Sequence, residues 1–193
     1  MQLYANPRKT RGVRALGPID IAPVRAAILA IPDDVWAGEN AKKVNKYEAL
    51  GATTHVLFRF VSDVSDWRGS KDFPIWAEWR DRLEPLLKKA TEPYGYARGA
   101  YPRIMLARMA PGGVIHPHVD ANRSAAWPHK IHIPIQTNPG VEFFIDPDTY
   151  HLEEGHAYEV NNRGPHAVKN NGTEPRIHLI FEYFDEDQPV DAF

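Results

Sequence analysis

The sequence predicts a mainly β fold, a barrel or sandwich of short strands with N-terminal helices packed on its outer face. Three observations carry this. From about Ala100 onward, short apolar or alternating runs are separated by turn clusters: Pro111-Gly112-Gly113, Asn138-Pro139-Gly140, Asp146-Pro147-Asp148, Glu154-Gly155 and Asn170-Asn171-Gly172. Strands recurring at intervals of about ten residues between such turns close into a sandwich or barrel. The 17 prolines in 193 residues exceed the usual share of about 5% and suit those turns. Residues 1–99 instead are mixed and carry helical periodicity on two segments, so they supply the cover.

Val24, Ala27, Ile28 and Ile31 recur at i, i+3, i+4 and i+7, with Pro23 suited to a first turn and Pro32 closing the segment. Trp76, Trp79, Leu83, Leu86 and Leu87 repeat that face on a second helix, begun by Pro74 and stopped before Pro93. Pro85 is expected to kink it. Its tryptophans read as core. Ahead of both helices, Arg8, Lys9, Arg11 and Arg14 form a short basic run, which reads as a solvated arm without a role. The half beyond Ala100 reads as strand throughout. In Lys130-Ile131-His132-Ile133-Pro134-Ile135 the isoleucines share one face, with Lys130 and His132 on the other, and Arg176-Ile177-His178-Leu179-Ile180-Phe181 repeats the arrangement. If the helices cover the apolar face, these polar groups line a lumen; otherwise Lys130 and Arg176 face water.

The length fits a single domain, residues 1–193. Residues 1–99 would supply mixed helix and strand support and the substrate side, with residues 100–185 as the core. Lys and Arg number 23 against 25 Asp and Glu, so there is no basic excess to attract nucleic acid or an anionic membrane. Zero cysteines exclude disulfides, thiolate metal sites and a cysteine nucleophile. Met1 to Tyr4 leads into Pro7, Arg8 and Lys9 without an apolar run, and no stretch approaches the ~18 apolar residues of a membrane span. A soluble, cytoplasmic protein is expected, of open oligomeric state.

Of nine histidines, eight fall in the strand-rich half, among them His116, His118, His129, His132, His166 and His178. In His116-Pro117-His118-Val119-Asp120, residues two apart point the same way, so His118 and Asp120 can meet one cation, with His116 as an alternative ligand of the same parity. Gly164-Pro165-His166-Ala167-Val168 offers a third ligand from a distant strand. Two imidazoles and one carboxylate on one face of an octahedron leave three positions open, the arrangement of non-haem Fe(II) oxygenases. Arg176 follows across the turn Asn170-Asn171-Gly172-Thr173-Glu174-Pro175. Read as a hairpin, that turn sets Arg176 beside Lys169, ~10 Å along the strand from His166. A guanidinium there could grip the distal carboxylate of 2-oxoglutarate bidentately.

From roughly Tyr101 to Phe184 the chain resembles the aspartyl/asparaginyl β-hydroxylase family of Fe(II)/2-oxoglutarate-dependent oxygenases, which includes bacterial proline hydroxylases. Pro111-Gly112 through His118 resembles the approach to the first iron histidine, and Lys130-Ile131-His132-Ile133 the family's Arg-x-His-Leu strand. Glu154-Gly155 resembles the turn before the second histidine segment, and His166 with Arg176-Ile177-His178 the distal ligand and the oxoglutarate arginine. Asp120 sets the chain closer to the proline-hydroxylase branch than to the animal aspartyl hydroxylases, which lack that carboxylate. Asn161-Asn162 stands where acidic residues are frequent.

The resemblance implies a cupin-like jelly roll, or double-stranded β-helix, binding Fe(II), 2-oxoglutarate and O2. His118, Asp120 and His166 would be the metal ligands, with Arg176 and His132 on the co-substrate. The implied reaction is hydroxylation of an unactivated β-carbon or ring carbon of an amino acid or peptidyl residue. Lys130, lysine where the family often has arginine, is expected to pair with a substrate carboxylate, because a buried unpaired ammonium is disfavoured. Arg108, Trp127 and Arg103 either line the substrate pocket or stack at the surface, and His132 and His178 are co-substrate hydrogen bonders or satisfied core groups. A metal enzyme of cupin type without 2-oxoglutarate and a non-catalytic jelly-roll binding module remain as alternatives.

Overall fold

The structure, a computed structural model, describes residues 6, 8–42 and 51–188. Met1 to Tyr4 and Pro7, which bear on the expectation of no leader segment, lie outside the described residues. Strand β1 (Val13–Pro18) is followed by α1 (Ala22–Leu29) and α2 (Asp33–Ala41), then by the hairpin β2 (Thr53–Asp63) and β3 (Asp66–Asp72) and by α3 (Trp76–Thr91). Beyond a 3-10 turn at Glu92–Tyr94 come β4 (Gly99–Ala100), β5 (Ile104–Met109), β6 (Val114–His118), α4 (Arg123–Ala126), β7 (His129–Gln136), β8 (Val141–Ile145), β9 (Asp148–Tyr150), β10 (His156–Val160), β11 (His166–Asn170) and β12 (Arg176–Asp185).

The strands form two antiparallel sheets. The larger runs β1-β10-β7-β12-β5-β2-β3, with β4 also on β12; the smaller runs β6-β11-β8-β9. The two sheets face one another as in a jelly roll. Alternation does the sorting. Ile131, Ile133, Ile135, Ile177, Leu179 and Phe181 leave the large sheet on its outer side, where they join Val24 and Ile28 of α1 and Trp76, Trp79, Leu83, Leu86 and Leu87 of α3 in one buried cluster. Each such side chain contributes about 1.5–3 kcal/mol when fully buried, so this cover fixes which face of the sheet is left for the lumen. Pro85 sits inside α3 on its exposed side, and the helix continues past it to Thr91.

Two elements depart from expectation. Helix α2 has only Trp36 and Glu39 buried, too sparse a stripe to read as helical periodicity. Helix α4 interrupts the half read as all strand; Asn122 caps its single turn by accepting from the Ala125 N–H at 2.9 Å. No helix among the described residues is long and apolar enough to cross a membrane.

Candidate active site

A cavity of about 140 Å³ lies between the sheets, lined by residues of both. That compares with the roughly 150 Å³ that admits a benzene-sized molecule. His118, Asp120, Lys130, His132, His166 and Arg176 all reach its wall.

At one end His118, Asp120 and His166 each present a ligand atom, all within 4.8 Å of one another. A bulge makes this possible. His166 pairs with His118, but Val168 pairs with Ile115, so β6 carries one extra residue there. The bulge turns Ile115 and His118 to the cavity and leaves His116 exposed, outside the ligand group. Parity alone had made His116 and His118 equivalent. His116 instead lends its carbonyl, which accepts from His118 Nδ1 at 2.8 Å; the Gly164 carbonyl does the same for His166 Nδ1 at 3.1 Å. A carbonyl only accepts, so both Nδ1 atoms carry the proton and both Nε2 lone pairs are free for a cation. Burial, foremost, lowers His166 to about 4, which keeps that ring neutral near pH 7.

Asp120 divides its oxygens. Oδ1 lies 3.8 Å from His118 Nε2, while Oδ2 accepts from Lys130 Nζ at 2.7 Å and Asn162 Nδ2 at 3.0 Å. Burial disfavours its charge, but the Lys130 ammonium and the hydrogen bonds outweigh that, so the carboxyl stays well below the usual carboxylate range. Lys130 therefore already has an anion, and the ground for assigning it a substrate carboxylate falls away. Asn162 takes part here too, supporting Asp120 rather than His166.

Arg176 occupies another part of the same wall. It is 1% exposed, its guanidinium carbon stands 4.9 Å from the Phe143 ring centroid, and Nη2 donates to His178 Nδ1 at 2.8 Å. Among the described residues it forms no ion pair, and burial alone pulls it down to about 9. Arg176 Nε, His178 Nε2 and His132 Nε2 are buried without partners. Because Arg176 only donates, His178 Nδ1 is the acceptor, so its unpartnered Nε2 carries a proton. Both donors are unmet; Arg176 reaches the cavity wall, where a carboxylate would supply acceptors, while His178 holds it from outside the lining. His132 Nδ1 lies 3.3 Å from His178 Nδ1, which places it in the same group.

The route to Arg176 differs from the expected hairpin. β11 belongs to the small sheet and β12 to the large one, where Arg176 pairs with Met109, not Lys169. The turn crosses between sheets, fastened by Asn138 Nδ2 and Asn170 Nδ2, each donating to the Glu174 carbonyl at 2.9 Å.

Three further expected pocket residues separate. Arg108 points to the outer face, where it pairs with Asp33 at 2.7 Å and stacks over Trp36 at 4.6 Å. Trp127 is 1% exposed and stacks on Trp67 at 5.2 Å in a small aromatic cluster away from the cavity. Both corrections follow from strand parity and packing that only the register reveals. Arg103 does reach the cavity, but Glu182 and Ser124 already hold it. The basic run also needs correction: Lys9 is turned inward onto Asn162, and Arg14 pairs with buried Glu159 at 3.0 Å.

Comparison with known proteins agrees with this architecture. Solved structures similar to the chain include the epimerase SnoN from nogalamycin biosynthesis, described as non-heme and alpha-ketoglutarate-dependent (TM-score 0.59, 16% identity, 99% of this chain and 86% of that one). An oxidoreductase of the 2OG-Fe(II) oxygenase family from Burkholderia pseudomallei aligns with TM-score 0.55 at 14% identity over 82% of this chain and 76% of that one. A Pseudomonas putida prolyl-4-hydroxylase aligns with TM-score 0.52 at 13% identity over 92% and 94%. Those likenesses establish the fold. No curated protein sequence matches the chain. The protein-family model described as Aspartyl/Asparaginyl beta-hydroxylase matches residues 86–185, just over half of the sequence. The chain therefore belongs to the aspartyl/asparaginyl β-hydroxylase family of 2-oxoglutarate-dependent oxygenases.

Proposed function

We propose that this protein is an Fe(II)- and 2-oxoglutarate-dependent hydroxylase acting on a carbon of an amino acid or peptidyl residue. The observation that carries the reading is Arg176, buried without an acidic partner in the wall of the cavity that also holds His118, Asp120 and His166. A buried cation left alone is strongly disfavoured; a dicarboxylate with its other end on a metal completes it. The residues fit both groups. His118 and His166 through Nε2, and Asp120, would hold the iron, with Lys130 and Asn162 keeping the second Asp120 oxygen in place. Arg176 would donate to the distal carboxylate, with His132 on the same wall and His178 accepting from Arg176 outside the lining.

Bound iron with 2-oxoglutarate supplies the oxidation of an unactivated C–H bond by dioxygen. The chain's own part is orientation and exclusion of water. Ile115, Phe143, Ile145, Val160, Val168 and Ile180 line the cavity with apolar surface, which keeps competing water from a reactive centre. A metal enzyme of cupin type without 2-oxoglutarate would leave Arg176 unexplained. Family membership, not Lys130, supports an amino-acid-derived substrate, and the whole chain is proposed to act as one unit.

The test is an anaerobically iron-loaded turnover screen of amino acids and peptides, reading succinate and the gain of one oxygen atom. His118→Ala, Asp120→Ala and His166→Ala are each expected to lose iron and turnover while keeping the fold. His116→Ala should retain iron. No succinate with any substrate, or iron retained in all three variants, would contradict the reading.

A further inference from the structure

The basic arm ahead of β1 reaches the candidate metal site through one residue. Lys9 Nζ donates to Asn162 Oδ1 at 2.6 Å and to the carbonyls of Ala126 at 3.3 Å and Ala125 at 3.4 Å, three acceptors for three N–H groups. Asn162 is fully buried. Its Nδ2 donates to Asp120 Oδ2 and to the Ala125 carbonyl, both at 3.0 Å, and its own carbonyl accepts from the Asp120 backbone N–H at 2.9 Å.

This arrangement has one polarity. Turning the Asn162 amide over would set its oxygen against two acceptors and its NH2 against an ammonium. The ammonium thus locks the end of the amide that faces away from Asp120, and the N–H end is locked onto Asp120 in consequence. Burial is costly to this lysine: it is pulled down to about 8, and among the described residues no carboxylate lies within ion-pair distance of it. A side chain serving only to fill that space would be cheaper if apolar.

The geometry points to Lys9 as a positioning residue of the metal site, acting through Asn162 to fix the Asp120 carboxylate. With Oδ2 held by Asn162 and Lys130, Oδ1 is the oxygen left facing His118 Nε2 at 3.8 Å. The inference rests on the proposed metal site. It adds that docking of the N-terminal arm, more than a hundred residues away in sequence, sets the affinity of that site.

The experiment is a double-mutant cycle on Mn(II) affinity, measured by calorimetry on the full chain with Mn(II) alone. Lys9→Met and Asn162→Ala are each expected to weaken binding by about 10-fold, within the 10–100-fold range for groups that orient metal ligands. The double variant should bind no more weakly than Asn162→Ala alone, because both substitutions remove one relay. A lysine acting only on stability would lower the thermal midpoint and leave Mn(II) affinity alone. Wild-type affinity in Lys9→Met, or losses that multiply in the double variant, would overturn the inference. Should Lys9→Met fail to fold, Asn162→Ala decides: weakened binding supports the relay and unchanged binding overturns it. His166→Ala separates the two levels, since wild-type Mn(II) affinity there would refute the metal site itself.

Discussion

Two buried polar clusters lie on opposite faces of the large sheet, and they differ in what they lack. On the outer face Glu159, with no exposure, accepts from the Thr10 N–H, His129 and Tyr94 at 2.7–3.1 Å and pairs with Arg14 at 3.0 Å. His129 Nδ1 donates to it, and His129 Nε2 meets the Tyr96 hydroxyl at 2.7 Å. Every acceptor has its donor. On the lumen face Arg176, His178 and His132 are as deeply buried, yet each keeps an unpartnered nitrogen. Burial and histidines are common to both clusters, so neither marks a functional site. What sets the lumen cluster apart is three unmet nitrogens gathered in one buried group around an uncompensated cation, a cost that a bound carboxylate would reduce.

The largest expected effect falls on the satisfied cluster. Glu159→Ala leaves His129, Tyr94 and Arg14 without their anion, and breaking a buried pair from one side costs about 3–5 kcal/mol. Chemical denaturation should show that loss, and a change under 1 kcal/mol would break the contrast. Next comes Arg176→Lys, which replaces a fork of charge-assisted hydrogen bonds by a point charge. Losing one or two bonds of about 1.5–3 kcal/mol should raise the 2-oxoglutarate requirement roughly 100-fold. Little change is expected in metal affinity or thermal midpoint.

Lys130→Met sharpens the comparison at the metal end. As the partner of Asp120 Oδ2, Lys130 orients a ligand, so its loss should weaken Mn(II) binding by about 10–100-fold. Intact metal affinity with a raised substrate KM would restore a substrate role for this lysine.

The smallest effect, counted per ring and per pH unit, is in pH. Burial holds His129, His132 and His178 below the ordinary imidazole value of 6.5, and brings His166 to about 4. Below 6.5 the unfolded chain takes up protons that the native state refuses. The stability present above that pH is therefore lost as pH falls toward 4, at up to about 1.4 kcal/mol per pH unit for each ring. The metal-free thermal midpoint should fall on acidification, less steeply in His178→Leu. A midpoint flat between pH 7 and 4 would contradict this.

Much of this was legible in the sequence because it depends on period. The isoleucine alternation of Lys130 to Ile135 and the stripe from Trp76 to Leu87 placed the outer core. Alternation left Lys130, His132 and Arg176 either to the lumen or to water, and with the helices covering the apolar face they stand in the lumen. His118, Asp120 and His166 also come together, although Asp120 lies past the end of β6. What was hidden depends on register and on partners far along the chain. A turn cluster such as Asn170 to Pro175 signals a reversal but not a change of sheet, and only the bulge in β6 separates His116 from His118. The inward turn of Lys9 and the outward turn of Arg108 follow from contacts with Asn162 and Asp33, residues that no local pattern connects to them.

The central claim is that Arg176 is left incomplete for a dicarboxylate. Its most direct test is calorimetric titration of 2-oxoglutarate into Mn(II)-loaded protein, wild type against Arg176→Met. Wild-type protein should bind, and Arg176→Met should lose affinity about 100-fold or more, two charge-assisted bonds being gone, with Mn(II) affinity unchanged. Equal 2-oxoglutarate affinity in the two proteins would contradict the account.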